Sequence, residues 1–258
     1  MMKLWSGEMP YYNSKIDFEP HILPYICDGA KLAVVVCPGG GYGCRCEYEG
    51  EEIGEWFNTI GITAYVLEYR VSPYRAPAIP SDVQRGMRVA RADAEKRGIK
   101  KVGVMGFSAG GHLAATASVH WDKKIYEPTD EIDRLSARPD FSVFCYPVID
   151  MFDFRHDGTR ICLLDERNKK ADREFYSLHK QVTDDTPPAF LWHNCSDQAV
   201  PAENSLLYAA ALSEHNISYE LHVFPYGMHG GGLCKGDSYI GQWTHLLERW
   251  IKEIVTEK

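Results

Sequence analysis

Ser108 lies in a pattern that could make it a nucleophile. The segment Gly106-Phe107-Ser108-Ala109-Gly110 follows a short apolar run and precedes a stretch of small and apolar residues. That context fits G-x-S-x-G, the strand–turn–helix in which a serine hydroxyl projects above a sheet. A side chain at position 106 or 110 would collide with the neighbouring strand or helix, which accounts for both glycines. The alternative is an ordinary tight turn in which Ser108 caps a helix.

A serine nucleophile needs a base, and the chain offers ten histidines. Catalytic residues of open α/β sheets lie at the carboxyl ends of strands, and this rule reduces the number of candidate histidines. His229 follows the alternating run 219–224 in a glycine-rich loop that can fold back over the sheet. His193 and His222 lie inside predicted strands, and His112 lies one helical turn past the serine. We therefore predict His229 as the base, with an ordinary surface-loop histidine as the alternative.

The base in turn needs an acid that orients it. Asp197 comes just after the apolar run 188–193 and just before a helical pattern. Asp184 and Asp185 precede that run, and Asp237 follows the predicted base. The order serine, aspartate, histidine is the chain order of α/β-hydrolases. We predict Asp197 as the acid, and its alternative role is that of a turn or helix-capping aspartate.

A glycine cluster could supply the second half of an oxyanion hole. The nearly continuous apolar run 31–37 predicts a buried strand, and the segment 38–43, Pro-Gly-Gly-Gly-Tyr-Gly, follows it. The cluster lacks the Lys-Ser/Thr pair of a phosphate-binding loop. We predict that the backbone N–H groups of Ala109 and of Gly40 or Gly41 bind the oxyanion. A plain flexible turn is the alternative.

These residues need a frame, and the sequence predicts strand and helix in repeated alternation. Such alternation is typical of a doubly wound, mostly parallel α/β sheet, here in one domain over residues 1–258. A small insertion, 151–182, is predicted as a lid or a wall of the acyl pocket. Residues 1–30 are predicted to hold one or two early strands around Lys15–Phe18. The predicted strands are 31–37, 62–69, 102–106, 141–146, 188–193 and 219–224, and the predicted helices are 51–60, 82–97, the helix from Ser108, 201–215 and 238–255.

Composition narrows the function classes. The 258 residues carry a net charge of −8 with no Lys/Arg-rich run, so we expect neither nucleic-acid nor membrane partners. The first residues lack an apolar signal-like core, and we therefore expect a cytoplasmic protein. The eight cysteines then read as free thiols, and the spacing of Cys44 and Cys46 does not fit a zinc or redox site. We expect no metal and no cofactor.

Several segments together resemble a known family. The chain resembles the bacterial α/β-hydrolase-fold carbohydrate esterases, the acetyl xylan esterase-like proteins, from about Val34 to Leu233. The resemblance implies a serine carboxylesterase that removes acetyl groups from sugar hydroxyls without a metal. Where related esterases begin the glycine loop with a histidine, this chain has Pro38. The matching segments include 38–42, Glu68-Tyr69-Arg70-Val71, 104–113, Ser136-Ala137-Arg138-Pro139-Asp140, Tyr146-Pro147-Val148, Val200-Pro201-Ala202-Glu203-Asn204-Ser205 and His229-Gly230.

The substrate is less constrained than the chemistry. Tyr42, Trp121 and Tyr146 are predicted as aromatic walls for a sugar ring or a short acyl group, with packing in the core or on the surface as the alternative. Short acetylated oligosaccharides, such as acetylated xylo-oligosaccharides, are the expected substrates. The sequence leaves open whether the chain forms a homo-oligomer. A general short-chain esterase, an arylformamidase or a small peptidase would use the same triad. A non-catalytic binding protein would be expected to have a damaged triad.

Overall fold

Eight strands form one mixed sheet in the computed structural model, which describes residues 1–165 and 169–256. Their order across the sheet is first, second, fourth, third, then fifth to eighth. The last six strands run parallel, and the first two add an antiparallel edge. In chain order the strands are β1 (Met2–Lys3), β2 (His21–Tyr25), β3 (Leu32–Cys37), β4 (Thr63–Glu68), β5 (Lys101–Phe107), β6 (Ser142–Cys145), β7 (Ala189–Asn194) and β8 (Tyr219–Phe224).

Helices cover both faces of this sheet. Side chains of α1 and α7 pack in the core on one face, and those of α2, α3 and α6 pack on the other. No helix in the described ranges is long and apolar enough to cross a membrane. The helices are α1 (Glu51–Thr59), α2 (Ala78–Lys96), α3 (Ser108–Val119), α4 (Asp157–Leu164), α5 (Lys170–Phe175), α6 (Glu203–Glu214) and α7 (Trp243–Trp250), and 3-10 helices span Glu47–Glu49, Glu131–Arg134 and Leu178–Gln181.

Strand β3 shows why apolar runs become central strands here. All six of its residues are buried. Val35 and Cys37 belong to the core on the α2 and α3 face, whereas Val34 and Val36 belong to the core on the α1 and α7 face. A strand covered on both faces needs no polar side, so its sequence is a continuous apolar run.

The predicted doubly wound sheet is confirmed, and so are the six strands predicted from apolar and alternating runs. The early strands of residues 1–30 are β1 and β2, which lie on either side of Lys15–Phe18, so the predicted position around Lys15–Phe18 is wrong. Ile16 N–H donates to the Asn13 carbonyl and Phe18 N–H donates to that of Ile16, so this segment turns instead of extending. Helix α2 begins four residues before its predicted start. The predicted final helix begins only at Trp243 and continues as a π-helical turn over Ile251–Thr256.

The predicted insertion 151–182 packs on the α2 and α3 face of the sheet. It contains α4, α5 and one 3-10 helix. Leu163 and Leu178 are fully buried. Ala76 N–H donates to the Leu163 carbonyl at 2.9 Å, and Leu178 N–H donates to the Ile149 carbonyl at 3.0 Å. Its predicted role as a lid stays a prediction, and residues 166–168 within it lie outside the described ranges, as do residues 257–258.

A buried ion pair joins the end of β4 to α2. Arg70 and Asp82 are both fully buried, and the guanidinium donates two hydrogen bonds, at 2.9 and 2.8 Å, to the two carboxylate oxygens. Arg70 N–H also donates to Asp82, and Trp5 Nε1–H donates to it from the N-terminal segment. Arg70 reaches the Pro10 carbonyl as well. The pair thus fixes the start of the loop 69–77, which in turn binds the insertion.

We expect Asp82→Asn to lower the free energy of unfolding by about 3–5 kcal/mol, because it leaves the Arg70 charge buried without a counter-charge. Urea unfolding followed by circular dichroism measures the loss. The control is Glu131→Gln, which removes one partner of an exposed ion pair with Arg134 and should change stability little. Equal stability of the two variants would contradict the role given to the buried pair.

Candidate active site

Four loops meet at the carboxyl edge of the parallel strands. The glycine cluster 39–41 follows β3, Ser108 follows β5, Asp197 follows β7 and His229 follows β8. Parallel strands end at a common edge, so residues far apart in sequence come together there. The three residues predicted as nucleophile, acid and base lie side by side in the structure.

Their side chains form one chain of hydrogen bonds. The Ser108 hydroxyl lies 2.7 Å from His229 Nε2, and His229 Nδ1 lies 2.6 Å from Asp197 Oδ2. With Nδ1–H donating to the carboxylate, Nε2 is free to accept the serine proton. Ser108 and Asp197 are buried, and the His229 side chain is 23% exposed, so a substrate can reach it.

Asp197 is held ionised by its surroundings. Burial alone would raise its pKa, but contacts with His193 and His229 and the N–H of Val200 hold that pKa well below its ordinary value of 3.8. Its Oδ1 accepts hydrogen bonds from the N–H groups of Ala199 and Val200, both at 2.9 Å. The carboxylate therefore stays charged wherever an imidazolium could form on His229.

The turn around Ser108 is strained and tightly packed. Ser108 has φ of +52°, a left-handed conformation that non-glycine residues rarely adopt. A Cβ on Gly106 would lie 2.0 Å from the Gly110 carbonyl oxygen, and a Cβ on Gly110 would lie 2.1 Å from that of Cys37. The collisions expected from the sequence at both glycines are therefore present in the backbone geometry.

The glycine cluster turns back over the nucleophile. A Cβ on Gly39 would lie 3.1 Å from Ser108 Cβ, and the Gly40 carbonyl accepts hydrogen bonds from the N–H groups of Gly43 and Cys44. Gly40 and Gly41 have φ of +123° and +63°. Their amides donate no hydrogen bond within the described ranges. The amide of Ala109, at the first turn of α3, is likewise unpaired there.

Glu49 is a site residue that the sequence did not reveal. It is 2% exposed at the end of a 3-10 helix. Its Oε2 accepts a hydrogen bond from Gly39 N–H at 2.8 Å, and its Oε1 accepts one from the Tyr146 hydroxyl at 2.7 Å. That hydroxyl accepts one from Gly232 N–H, three residues past His229. Burial raises the pKa of Glu49, against the opposing effects of Tyr146, Gly39 and His229.

The three aromatic residues predicted as substrate walls are placed differently from one another. Tyr146 packs edge-on to the His229 ring at 5.1 Å between centroids, but it is fully buried. Tyr42 is also fully buried, and its hydroxyl bonds His112 Nδ1, so its ring is closed off from a substrate. Trp121 follows the C-terminal end of α3, the end far from Ser108, beside Lys180. Tyr146 contacts the base but, like Tyr42, has no exposed ring surface, so the structure corrects the predicted role as an aromatic wall for Tyr42, Tyr146 and Trp121.

Two further features border the triad. An open groove of about 540 Å³ runs beside His229 and is lined by Ser196, Gln198, Ala199, Gly227 and Met228. His156 approaches the glycine cluster, where a Cβ on Gly41 would lie 3.8 Å from its Cε1. No metal-ligand cluster of three or more His, Cys, Asp or Glu side chains occurs in residues 1–165 and 169–256.

Comparison with known proteins identifies relatives along most of the chain. The model of the BD-FAE family matches residues 23–212. The chain is 34% identical to Endo-1,4-beta-xylanase B of Butyrivibrio fibrisolvens over 251 residues, which are 93% of this chain and 39% of that protein. It is 33% identical to the Acetylxylan esterase of Xylanibacter ruminicola over 235 residues, 88% of this chain and 46% of that protein. The chain thus spans less than half the length of either relative.

A solved structure matches nearly the whole chain. The acetyl ester-xyloside bifunctional hydrolase from Caldicellulosiruptor lactoaceticus superposes with a TM-score of 0.95 at 43% identity. The match covers 99% of this chain and 96% of that one. The predicted α/β-hydrolase fold is confirmed.

We expect Glu49→Gln to lower kcat/KM for 4-nitrophenyl acetate about 10-fold, because a charged acceptor that receives two hydrogen bonds is lost. A glutamine has one acceptor oxygen, so either Gly39 or Tyr146 then faces an amide NH₂ group. Steady-state kinetics measures the loss, with the exposed neighbour Glu47→Gln as the control. Equal activity of the two variants would contradict the positioning role of Glu49.

We expect Asp197→Asn to flatten the acid dependence of stability. Because the pKa of Asp197 is lowered in the folded state, its contribution is fully present above the ordinary value of 3.8 and is lost as the pH falls through the folded value. Urea unfolding from about pH 5 downward should show a steeper decline for the wild type than for the variant. The exposed Asp28→Asn should keep the wild-type slope, and an identical slope in all three proteins would refute the assignment.

Proposed function

The chain belongs to the BD-FAE family, and from that premise we propose that it is a serine carboxylesterase that removes acetyl groups from carbohydrate esters. Acetylated xylo-oligosaccharides are the proposed substrates. The observation that carries the proposal is the unbroken chain of hydrogen bonds from Asp197 through His229 to Ser108, placed where an ester can reach it. The reaction passes through an acyl-enzyme and uses neither metal nor cofactor.

In the first step His229 Nε2 takes the Ser108 proton while Oγ attacks the ester carbonyl carbon. The negative charge that develops on the carbonyl oxygen is stabilised by the amides of Ala109 and of Gly40 or Gly41. Each such donor typically contributes about 3 kcal/mol to lowering the barrier. His229 then protonates the leaving sugar oxygen, and the C–O bond of the ester breaks.

In the second step a water molecule attacks the acetyl-serine. His229 accepts the water proton, the tetrahedral intermediate collapses, and the proton returns to Ser108 as acetate leaves. Asp197 keeps the imidazole in the tautomer that both steps need and stabilises its charged form. Because its pKa is lowered, it remains a carboxylate throughout this cycle.

The substrate class rests on two kinds of support. Relatives are named Acetylxylan esterase and acetyl ester-xyloside bifunctional hydrolase. The groove of about 540 Å³ lies beside His229, which must protonate the leaving alcohol, and Ser196 and Gln198 offer it polar groups. A groove of this size suits a short sugar chain better than a bare acetyl group.

Glycosidic hydrolysis, which the names of two relatives include, is not part of the proposal. It requires two carboxyl groups that face the scissile bond, one of them able to donate a proton. Glu49 and Asp197 lie beside Ser108, but both are buried and already hydrogen-bonded to the chain. The serine machinery therefore remains the proposed chemistry.

A cytoplasmic location also belongs to the proposal. All eight cysteines are free thiols, as in proteins of a reducing compartment. Assembly into a homo-oligomer stays a prediction.

We expect the wild-type protein to release acetate from acetylated xylo-oligosaccharides and the Ser108→Ala variant to lose this activity. The serine oxygen is the atom that attacks the ester in the first step, so removing it should leave only slow residual hydrolysis. Acetate release is measured beside hydrolysis of 4-nitrophenyl acetate and butyrate. The exposed Ser213→Ala serves as the matched control.

If the protein hydrolysed only the nitrophenyl esters, and this activity still depended on Ser108, the triad assignment would stand but the sugar substrate would be rejected. Formamides, peptides and other small esters would then be tested. Full sugar-ester turnover by Ser108→Ala would reject the serine mechanism itself.

A further inference from the structure

His156 reaches the active site from the segment that follows β6. It precedes α4 in the insertion and is half-buried. A Cβ on Gly41 would lie 3.8 Å from its Cε1, which places the imidazole beside the glycine cluster. The charges of His229 and Asp197 both influence its pKa, so the ring lies within electrostatic range of the triad. The mechanism above gives this imidazole no task.

The hydrogen bonds of His156 fix its tautomer. Nδ1 accepts a hydrogen bond from Thr159 N–H at 3.2 Å, as an N-cap acceptor does, and lies 2.8 Å from the Thr159 hydroxyl. An amide can only donate, so Nδ1 carries no proton and the neutral ring carries it on Nε2. Burial, reinforced by His229, lowers the pKa of His156 and keeps the ring neutral. Nε2–H has no acceptor within the described ranges.

The ring is also held in place. Thr159 is fully buried. The carbonyls of Ile161 and Leu163 in α4 accept hydrogen bonds from the Arg75 side chain and from Ala76 N–H. Asn204 Nδ2–H donates to the Phe154 carbonyl two residues before the histidine. A donor fixed in this way loses little conformational entropy when it binds a ligand.

The chemistry of an acetyl ester limits what this N–H can meet. The acetyl group offers a methyl group and one carbonyl oxygen, and the amides of Ala109 and of Gly40 or Gly41 bind that oxygen. The remaining acceptors of an acetylated xylo-oligosaccharide are the bridging ester oxygen, which His229 protonates as it leaves, and the hydroxyl, ring and glycosidic oxygens of the sugar. A further donor at this site therefore matches the alcohol part of the substrate.

We infer that His156 is a substrate-binding residue that donates a hydrogen bond from Nε2 to a sugar oxygen next to the scissile acetyl ester. This inference rests on the proposed function and deepens it, because it explains how the site would favour a sugar ester over a simple ester. An aryl acetate has no such oxygen and gains nothing from the contact.

Two amide variants of His156 test the roles of its two ring nitrogens separately. The side-chain oxygen of asparagine can take the place of Nδ1, and asparagine is a favoured N-cap, so His156→Asn keeps the cap and loses the donor. The longer glutamine carries an NH₂ group to the region of Nε2, so His156→Gln keeps a donor and loses the cap. Both variants are compared with the wild type on acetylated xylo-oligosaccharide and on 4-nitrophenyl acetate, together with their melting temperatures.

We expect His156→Asn to lower kcat/KM for the sugar ester roughly 3- to 10-fold, mainly through KM, since one neutral hydrogen bond is lost in both ground and transition states. Its kcat/KM for 4-nitrophenyl acetate should fall much less than that for the sugar ester, and its melting temperature should stay at the wild-type value. His156→Gln should recover much of the sugar-ester activity despite a lower melting temperature. If His156 only capped α4, His156→Gln would lose more sugar-ester activity than His156→Asn, because only the glutamine variant loses the cap.

Equal losses on both substrates would overturn the inference and would place the imidazole in the oxyanion hole or the acyl pocket. Unchanged sugar-ester kinetics in His156→Asn would overturn it as well. Failure of the proposed function is distinguishable, because the wild type itself would then release no acetate from the sugar ester, and the inference would fall with it.

Discussion

The close approach of α3 to the end of β3 sets the geometry on which the other site groups depend. A Cβ on Gly110 would lie 2.1 Å from the Cys37 carbonyl oxygen, so only a glycine allows the helix to start where it does. That start fixes Ser108 in its left-handed conformation. The same end of β3 leads directly into the glycine cluster 39–41. Nucleophile and oxyanion donors are therefore positioned against one another by a single backbone contact, without an intervening side chain.

A second set of contacts connects the oxyanion donors to the loop of the base. Glu49 bonds both Gly39 and Tyr146, and Tyr146 bonds Gly232 in the loop that carries His229. One buried carboxylate thus links the loop after β3 to the loop after β8. In a region of low dielectric such hydrogen bonds are strong, and an unpaired member of the network would be costly. The geometry of the base and that of the oxyanion donors are consequently coupled.

The sequence predicted what depends on local pattern. Apolar and alternating runs predicted six strands. The G-x-S-x-G motif identified Ser108, and position after a strand identified Asp197 and His229; the structure places the three within hydrogen-bonding distance. The sequence did not identify Glu49 and His156, because a polar residue between predicted strands and helices has the same local pattern whether its side chain faces solvent or a buried partner.

Aromatic residues were misjudged for a related reason. A tyrosine after a strand has an apolar ring that can line a pocket or fill a core, and only the three-dimensional fold decides between them. Tyr42 fills the core, where it bonds His112. His112 Nε2–H in turn donates to the carbonyl of Tyr176 in the insertion. His120 and Ala76 also bond carbonyls of the insertion, those of Phe175 and Leu163. Because these acceptors are main-chain oxygens, the insertion can exchange many of its exposed side chains during evolution without loosening its attachment to the sheet.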